Sequence, residues 1–253
     1  MPRTLKQILY GFGFLTVLGV FSLALYKIFL VPSPTCFDNV RNGKEEGIDC
    51  GGGCIACELK TLKLITSPVE VKAVGKKTTL IEKITNPSSN YGLRVFDYNF
   101  EIYGSFGVRL ATIESRSLIQ PSETKYLIAP GVDIDPGSVS TVKLNILNSS
   151  WERAENLPNY QYIEIAKTGT ASSKDGIEVS GILKNKSAAD LKSVKVKAVI
   201  FSETGQALNA SETEISELRS FSESPFRIFF PKVAREDEFD LGKTNVFAEI
   251  VPR

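Results

Sequence analysis

The chain has 253 residues, with 30 Lys and Arg against 29 Asp and Glu for a formal net charge of +1, so no broad field draws it to nucleic acid or to an anionic surface. It contains no histidine, which removes the side chain most used as a general base near neutral pH and the commonest metal ligand. Its four cysteines all fall between residues 36 and 57, which makes them one local device and not a set of core thiols.

In chain order, the first feature is the uncharged run from Ile8 to Tyr26, continued past Lys27 by Ile28-Phe29-Leu30-Val31. About twenty helical residues rising 1.5 Å each match a hydrocarbon core of ~30 Å. Residues 8–31 are therefore expected to form a transmembrane helix after a cytoplasmic stub at 1–7. Arg3 and Lys6 precede the helix and mixed charge follows it, so the positive-inside tendency puts the N-terminus in the cytoplasm and the bulk of the chain outside. Lys27 then flanks the outer end, its stem along the helix and its ammonium among headgroups. The competing reading is a cleaved secretory signal, but no small-x-small cleavage site is visible. Pro32-Ser33-Pro34-Thr35-Cys36 also lacks the small residue expected before a lipidated cysteine.

Residues 32–59 hold Cys36, Cys50, Cys54 and Cys57 in a segment too short and polar to build a core. Outside the cytoplasm, four such cysteines are most simply two disulfides, in any of three pairings. Gly51-Gly52-Gly53 supplies freedom for a tight turn between Cys50 and Cys54. Zinc on four thiolates departs from paired C-x2-C spacing, and calcium on Asp38, Asn42, Glu46 and Asp49 competes with simple solvation of a polar loop. The pair Cys54-x-x-Cys57 lacks the βαβ context of a redox motif. The pattern Cys36, Asp38, Asn42, Glu46 and Asp49-Cys50-Gly51-Gly52-x-Cys54-x-x-Cys57 resembles short modules of secreted and surface-anchored bacterial proteins. That resemblance implies an extracytoplasmic, disulfide-stapled spacer with no assigned chemistry.

From residue 60 onward, short alternating apolar runs are broken by Gly, Pro, Asn and Ser, the signature of an all-β sandwich. Strands are expected at 62–65, 78–85, 96–103, 109–115, 123–129 and 139–146, and again at 160–167, 177–184, 193–201, 224–230 and 245–251. The two sets read as copies offset by nearly one hundred residues. Ile84-x-Asn86 matches Leu183-x-Asn185, the alternation from Phe96 to Ile102 matches that from Val194 to Ile200, and Pro121-Ser122-Glu123 matches Phe221-Ser222-Glu223. Two tandem domains of one fold follow, at 60–148 and 160–253, joined by a linker at 149–159. Trp151, the lone tryptophan, is expected to pack against a neighbouring domain. Arg235-Glu236-Asp237-Glu238 reads as a solvated turn.

Val179-Ser180-Gly181, Asn185-Lys186-Ser187, the alternation Val194 to Phe201, and Ser222-Glu223-Ser224-Pro225-Phe226 resemble the FxLYD family of bacterial extracytoplasmic domains. Ile200-Phe201-Ser202 stands where the family has an aliphatic-aromatic-acid sequence, so the acid is missing. The resemblance covers 176–231 well and 78–130 loosely, implies an immunoglobulin-like seven-stranded antiparallel sandwich, and carries no catalytic residues.

No G-x-S-x-G elbow and no phosphate-cradling glycine loop is present. Ser172 or Ser173 beside Lys174 falls in an expected loop, where the lysine stays protonated, and Asp133 and Asp135 beside Pro136-Gly137 read as turn-formers. The sequence thus points to a non-enzymatic, single-pass cell-membrane protein with no cofactor and no bound metal. Its partners would be the lipid bilayer and an unidentified protein at the cell surface, with no nucleic acid. A structural spacer and a ligand-sensing subunit acting through a membrane partner are the alternatives.

Overall fold

In the computed structural model of the chain, residues 2–29, 33–158, 162–231 and 239–250 are described. They fall in two compact units, 1–61 and 62–253.

The first unit opens with helix α1, Arg3–Phe29. An apolar run outside water must satisfy its backbone groups internally, which a helix does. Pro2 sets the start, its carbonyl accepting from the Leu5 and Lys6 N–H groups, so the helix begins five residues before the expected span. None of its described side chains is buried against protein, and it is long and apolar enough to cross a membrane. Residues 30 and 31 of the expected span lie outside the described residues. The rest of this unit is a loop-rich module closed by two disulfides, Cys36–Cys54 and Cys50–Cys57.

The second unit is all antiparallel β and holds two immunoglobulin-like sandwiches. In the first, β1 (Ile65–Thr66) and β2 (Glu70–Val74) share one side of β3 (Lys77–Thr85), and β6 (Thr124–Val132) takes the other. The facing sheet sets β5 (Arg109–Ile119) on one side of β4 (Tyr91–Tyr103), with β7 (Thr141–Leu147) and β8 (Trp151–Arg153) sharing the other. In the second sandwich the sheets run β9 (Ile163–Ser173), β10 (Gly176–Asn185), β13 (Glu223–Pro231) and β12 (Ala207–Ile215), β11 (Val194–Ser202), β14 (Phe239–Ile250). The connectivity of the two is the same: β9 stands for β1 and β2 together, and β14 for β7 and β8. Among the described residues each sandwich has six strand positions, one fewer than the seven the family resemblance implied.

Strict alternation builds each core. Phe96, Tyr98, Phe100 and Ile102 point from β4 into the first core, and Val194, Val196, Ala198 and Ile200 from β11 into the second. The same turn closes each fold. The Asn86 side chain donates to the Tyr91 and Gln120 carbonyls and accepts from the Ser88 N–H. Asn185 donates to Ala189, Leu218 and Arg219 carbonyls and accepts from the Ser187 N–H.

With those asparagines matched, β6 and β13 align one residue away from the sequence expectation. Thr85 pairs with Thr124 and Lys184 with Glu223, so Leu127, not Tyr126, is the counterpart of Phe226. Burial supports this register: Leu127 and Phe226 are core residues, whereas Tyr126 faces the opposite way. A one-residue slip exchanges the faces of a strand.

The stretch expected as a linker, 149–159, contains β8, whose Trp151 packs on the first core, and Leu157 is buried. Residue 159 and the run 235–238 lie outside the described residues, as do positions 160 and 161 of the expected strand at 160–167 and position 251 of the one at 245–251. The sandwiches also pack against each other. The outer face of β2–β3–β6 meets that of β12–β11–β14 through Ile81 and Ile128 on one side and Val199, Ala207 and Ala210 on the other. Tyr126 and Phe201 meet edge-on with ring centres 5.7 Å apart, a geometry aromatic pairs prefer.

Candidate functional site

Arg3 and Lys6 lie on the first two turns of α1 and Lys27 on its last, so basic residues flank the apolar run at both ends. The disulfide module is held by its own carboxylates. Asp49, buried, accepts from the Asp38 and Asn39 N–H groups, and Lys60 approaches it at 3.9 Å. Asp38 accepts from Val40, Thr35 and the Asn42 side chain, and the Asn42 bond, followed by those backbone donors, lowers its pKa. Glu45 accepts from the Asn42 and Asp49 N–H groups. It is Glu45 that staples the loop, whereas Glu46, which the sequence grouped with Asp38, Asn42 and Asp49 as a candidate calcium set, is exposed. Carboxylates spent on backbone donors are loop staples, and the sulfurs of Cys36 and Cys54 near Glu45 are bonded to each other.

The glycine run divides by geometry. Gly51 and Gly52 have φ of 78° and 62°, and a side chain on Gly52 would overlap the Lys44 carbonyl oxygen while one on Gly51 would strike Glu46. Gly53 faces open space, as suits the variable position of the motif. Elsewhere, Asp135 accepts from the Gly137 N–H as a turn-former, and the Ser173 hydroxyl bonds within its own turn to the Gly176 carbonyl.

Three features of the second unit escaped sequence reading. First, Leu80, Glu82 and Ile84 alternate inward from β3, which buries the Glu82 side chain to 2% exposure in the first sandwich. Among the described residues its Oε2 has no hydrogen-bond partner. Burial pushes its pKa up to about 7, against the opposing effect of a hydrogen bond with Thr66. Thr66 in turn lines a cavity of about 310 Å³ whose apolar walls are Leu62, Leu64, Leu93, Leu144, Ile146 and Trp151.

Second, a charge cluster is sealed between the sandwiches. Glu249 of β14 bonds to Lys125 of β6 at 2.9 Å and to Lys197 of β11 at 2.5 Å, and all three side chains are at most 5% exposed. The Ser117 hydroxyl and the Leu118 N–H also donate to Glu249, and Lys125 donates to the Leu118 carbonyl. Burial alone would raise the Glu249 pKa, but the two ammonium charges and their hydrogen bonds outweigh it and hold the carboxyl well below its usual range.

Third, the tip of the β4–β5 hairpin carries a fully exposed Phe106 at φ 58°, a left-handed backbone that bulky residues rarely adopt. Val108 and Leu110 beside it are also exposed, at 60% and 41%.

The fold and these features define an all-β protein of two fused immunoglobulin-like sandwiches behind an apolar N-terminal helix and a disulfide module. No protein-family model matches the chain, and no curated protein matches it. Among solved structures it is similar to the N-terminal CBM22-1-CBM22-2 tandem domain from Paenibacillus barcinonensis Xyn10C, at 8% identity over 76% of this chain and 84% of that one with a TM-score of 0.17.

Proposed function

We propose that the chain is a non-catalytic, single-pass protein of the cell envelope, anchored with its N-terminus in the cytoplasm, whose outer sandwiches engage another protein through the β4–β5 hairpin tip. The carrying observation is Phe106, fully exposed on a left-handed backbone. Such a conformation costs about 1 kcal/mol, and exposure of an aromatic gains nothing in the free chain, whereas aromatic side chains at loop tips anchor interfaces. The basic flank at Arg3 and Lys6 supports the orientation, and the two disulfides support an oxidising compartment. The absence of histidine from the sequence supports the non-catalytic reading. We also read residues 176–231 as an FxLYD-like domain.

The test is a photoreactive phenylalanine analogue at position 106 in intact cells, with the analogue at the exposed Phe229 as control. A discrete crosslinked protein from position 106 alone supports the reading, and equal or absent crosslinking from both positions overturns it. Orientation is checked with a membrane-impermeant maleimide, which should label Cys36, Cys50, Cys54 and Cys57 in intact cells only after reduction. A second reading, a stiff spacer without its own ligand, draws support from the sealed contact between the sandwiches, and predicts that loss of Phe106 leaves function unchanged.

A further inference from the structure

The disulfide module turns apolar side chains outward. Phe37 is 90% exposed, and Val40, Ile48 and Ile55 are exposed at 56%, 55% and 57%. Their backbone positions are gathered at one knot. Phe37 follows Cys36 and Ile55 follows Cys54, two residues joined by a disulfide with Cα atoms 5.6 Å apart. Val40 follows Asn39 and Ile48 precedes Asp49, whose carboxylate holds the Asp38 and Asn39 N–H groups at 3.0 and 3.1 Å. Large apolar groups massed on a surface mark a place that something apolar covers, and here they add nothing to a fold that bridges and carboxylates hold.

We propose that this knot docks on the outer leaflet of the bilayer that the chain's own helix spans, with Phe37, Val40, Ile48 and Ile55 dipped into the boundary between headgroups and acyl chains. Chain length decides for lipid. Helix α1 ends at Phe29, eight residues before Phe37, and eight residues extend to at most about 29 Å. A patch tethered that closely meets lipid at a high effective concentration, an advantage that a freely diffusing protein lacks. The backbone is prepared for such a place. The N–H groups of Thr35, Asp38, Asn39 and Val40 all donate to the carboxylates of Asp38 or Asp49, and a loop at an apolar boundary needs its polar groups paired internally. Attraction to anionic headgroups is not the driving force, because residues 33–61 carry five acidic side chains against three basic ones. The docking rests on the anchor reading given above and is independent of the hairpin-tip contact.

The experiment reconstitutes the full chain into phosphatidylcholine vesicles whose lipids are brominated either near the headgroup end of the acyl chains or near their far end. Tryptophan emission is read above that of the wild type, whose sole tryptophan is Trp151. Three reporters are compared: Phe37→Trp, Ile55→Trp and, in the middle of α1, Val17→Trp, each with the native disulfide pairing established by peptide mapping. Phe37 and Ile55 are exposed, so an indole at either position disturbs no packing. The added emission of Phe37→Trp and Ile55→Trp is expected to be roughly halved by the shallow bromines and less affected by the deep ones, as for tryptophan at a membrane interface. Val17→Trp should show the reverse order. A quenched Val17→Trp beside an unquenched reporter at 37 or 55 overturns the docking, leaves the anchor in place and turns the surface over to a protein contact. An unquenched Val17→Trp overturns the anchor and the docking with it.

Discussion

Lys125 of the first sandwich and Glu249 of the second meet at 2.9 Å across the boundary between the two folds, and Lys197 closes on the other oxygen of the same carboxylate. Two cations and one anion sealed from water stand or fall together. Removing the anion strands two buried ammonium groups, so Glu249→Gln is expected to destabilise the protein by about 3–5 kcal/mol, read by guanidinium unfolding. Replacing all three at once, Lys125→Met, Lys197→Met and Glu249→Leu, should come out near neutral, because the desolvation cost disappears with the attraction. Since the Glu249 pKa is lowered in the fold, its contribution is fully present above the ordinary unfolded carboxyl pKa and decays only as pH falls through the depressed folded value.

Glu82 has the opposite sign. Its pKa rises from 4.5 to about 7 on folding, so the folded state holds a proton that the unfolded chain releases. Stability from this group is fully present below about pH 4.5 and is lost as pH rises through about 7. The window is worth about 3 kcal/mol at ~1.4 kcal/mol per unit. Urea unfolding at pH 5 and pH 8 should show the wild type losing stability over that interval and Glu82→Gln losing much less.

Phe106 carries two effects that oppose each other. Phe106→Asn, which suits the left-handed backbone, should raise stability by ~0.5–1 kcal/mol in chemical unfolding while weakening partner binding by about 2 kcal/mol, roughly 30-fold. A loss of stability without loss of binding would point to a packing role for the ring.

In the disulfide module the glycines are not equivalent. Gly52→Ala, whose methyl would overlap the Lys44 carbonyl oxygen at a φ of 62°, should disrupt oxidative folding and yield scrambled disulfides by peptide mapping. Gly53→Ala, facing open space, should preserve the native pairing.

Much of the architecture was legible because period-two alternation is strong where one face of a strand meets a core, as from Phe96 to Ile102. Strand β12 was not legible, since Ala207 and Ala210 are buried by the neighbouring sandwich and small residues in a polar run carry no periodic signal. Lys197, between Val196 and Ala198, likewise reads as a solvated strand face, and only the packing of one sandwich on the other buries it. Glu82 did leave a signal: its parity with Leu80 and Ile84 places it inward, against the habit of assigning a charged residue to solvent. Phe106 could not be singled out, because its exposure and backbone conformation belong to the turn and not to the residue type. Disulfide pairing was undetermined because spacing alone permits all three arrangements.

That pairing has a mechanical consequence. Because Cys36 joins Cys54 while Cys50 joins Cys57, the two bridges interlock along the chain. Any single peptide bond broken between Cys36 and Cys57 is spanned by at least one of them. Had neighbours paired in sequence, one cut between Cys50 and Cys54 would have separated the helix from the sandwiches. As built, the helix and the sandwiches stay covalently joined after a single nick anywhere between the outermost cysteines, and parting them by cleavage there requires reduction as well as proteolysis.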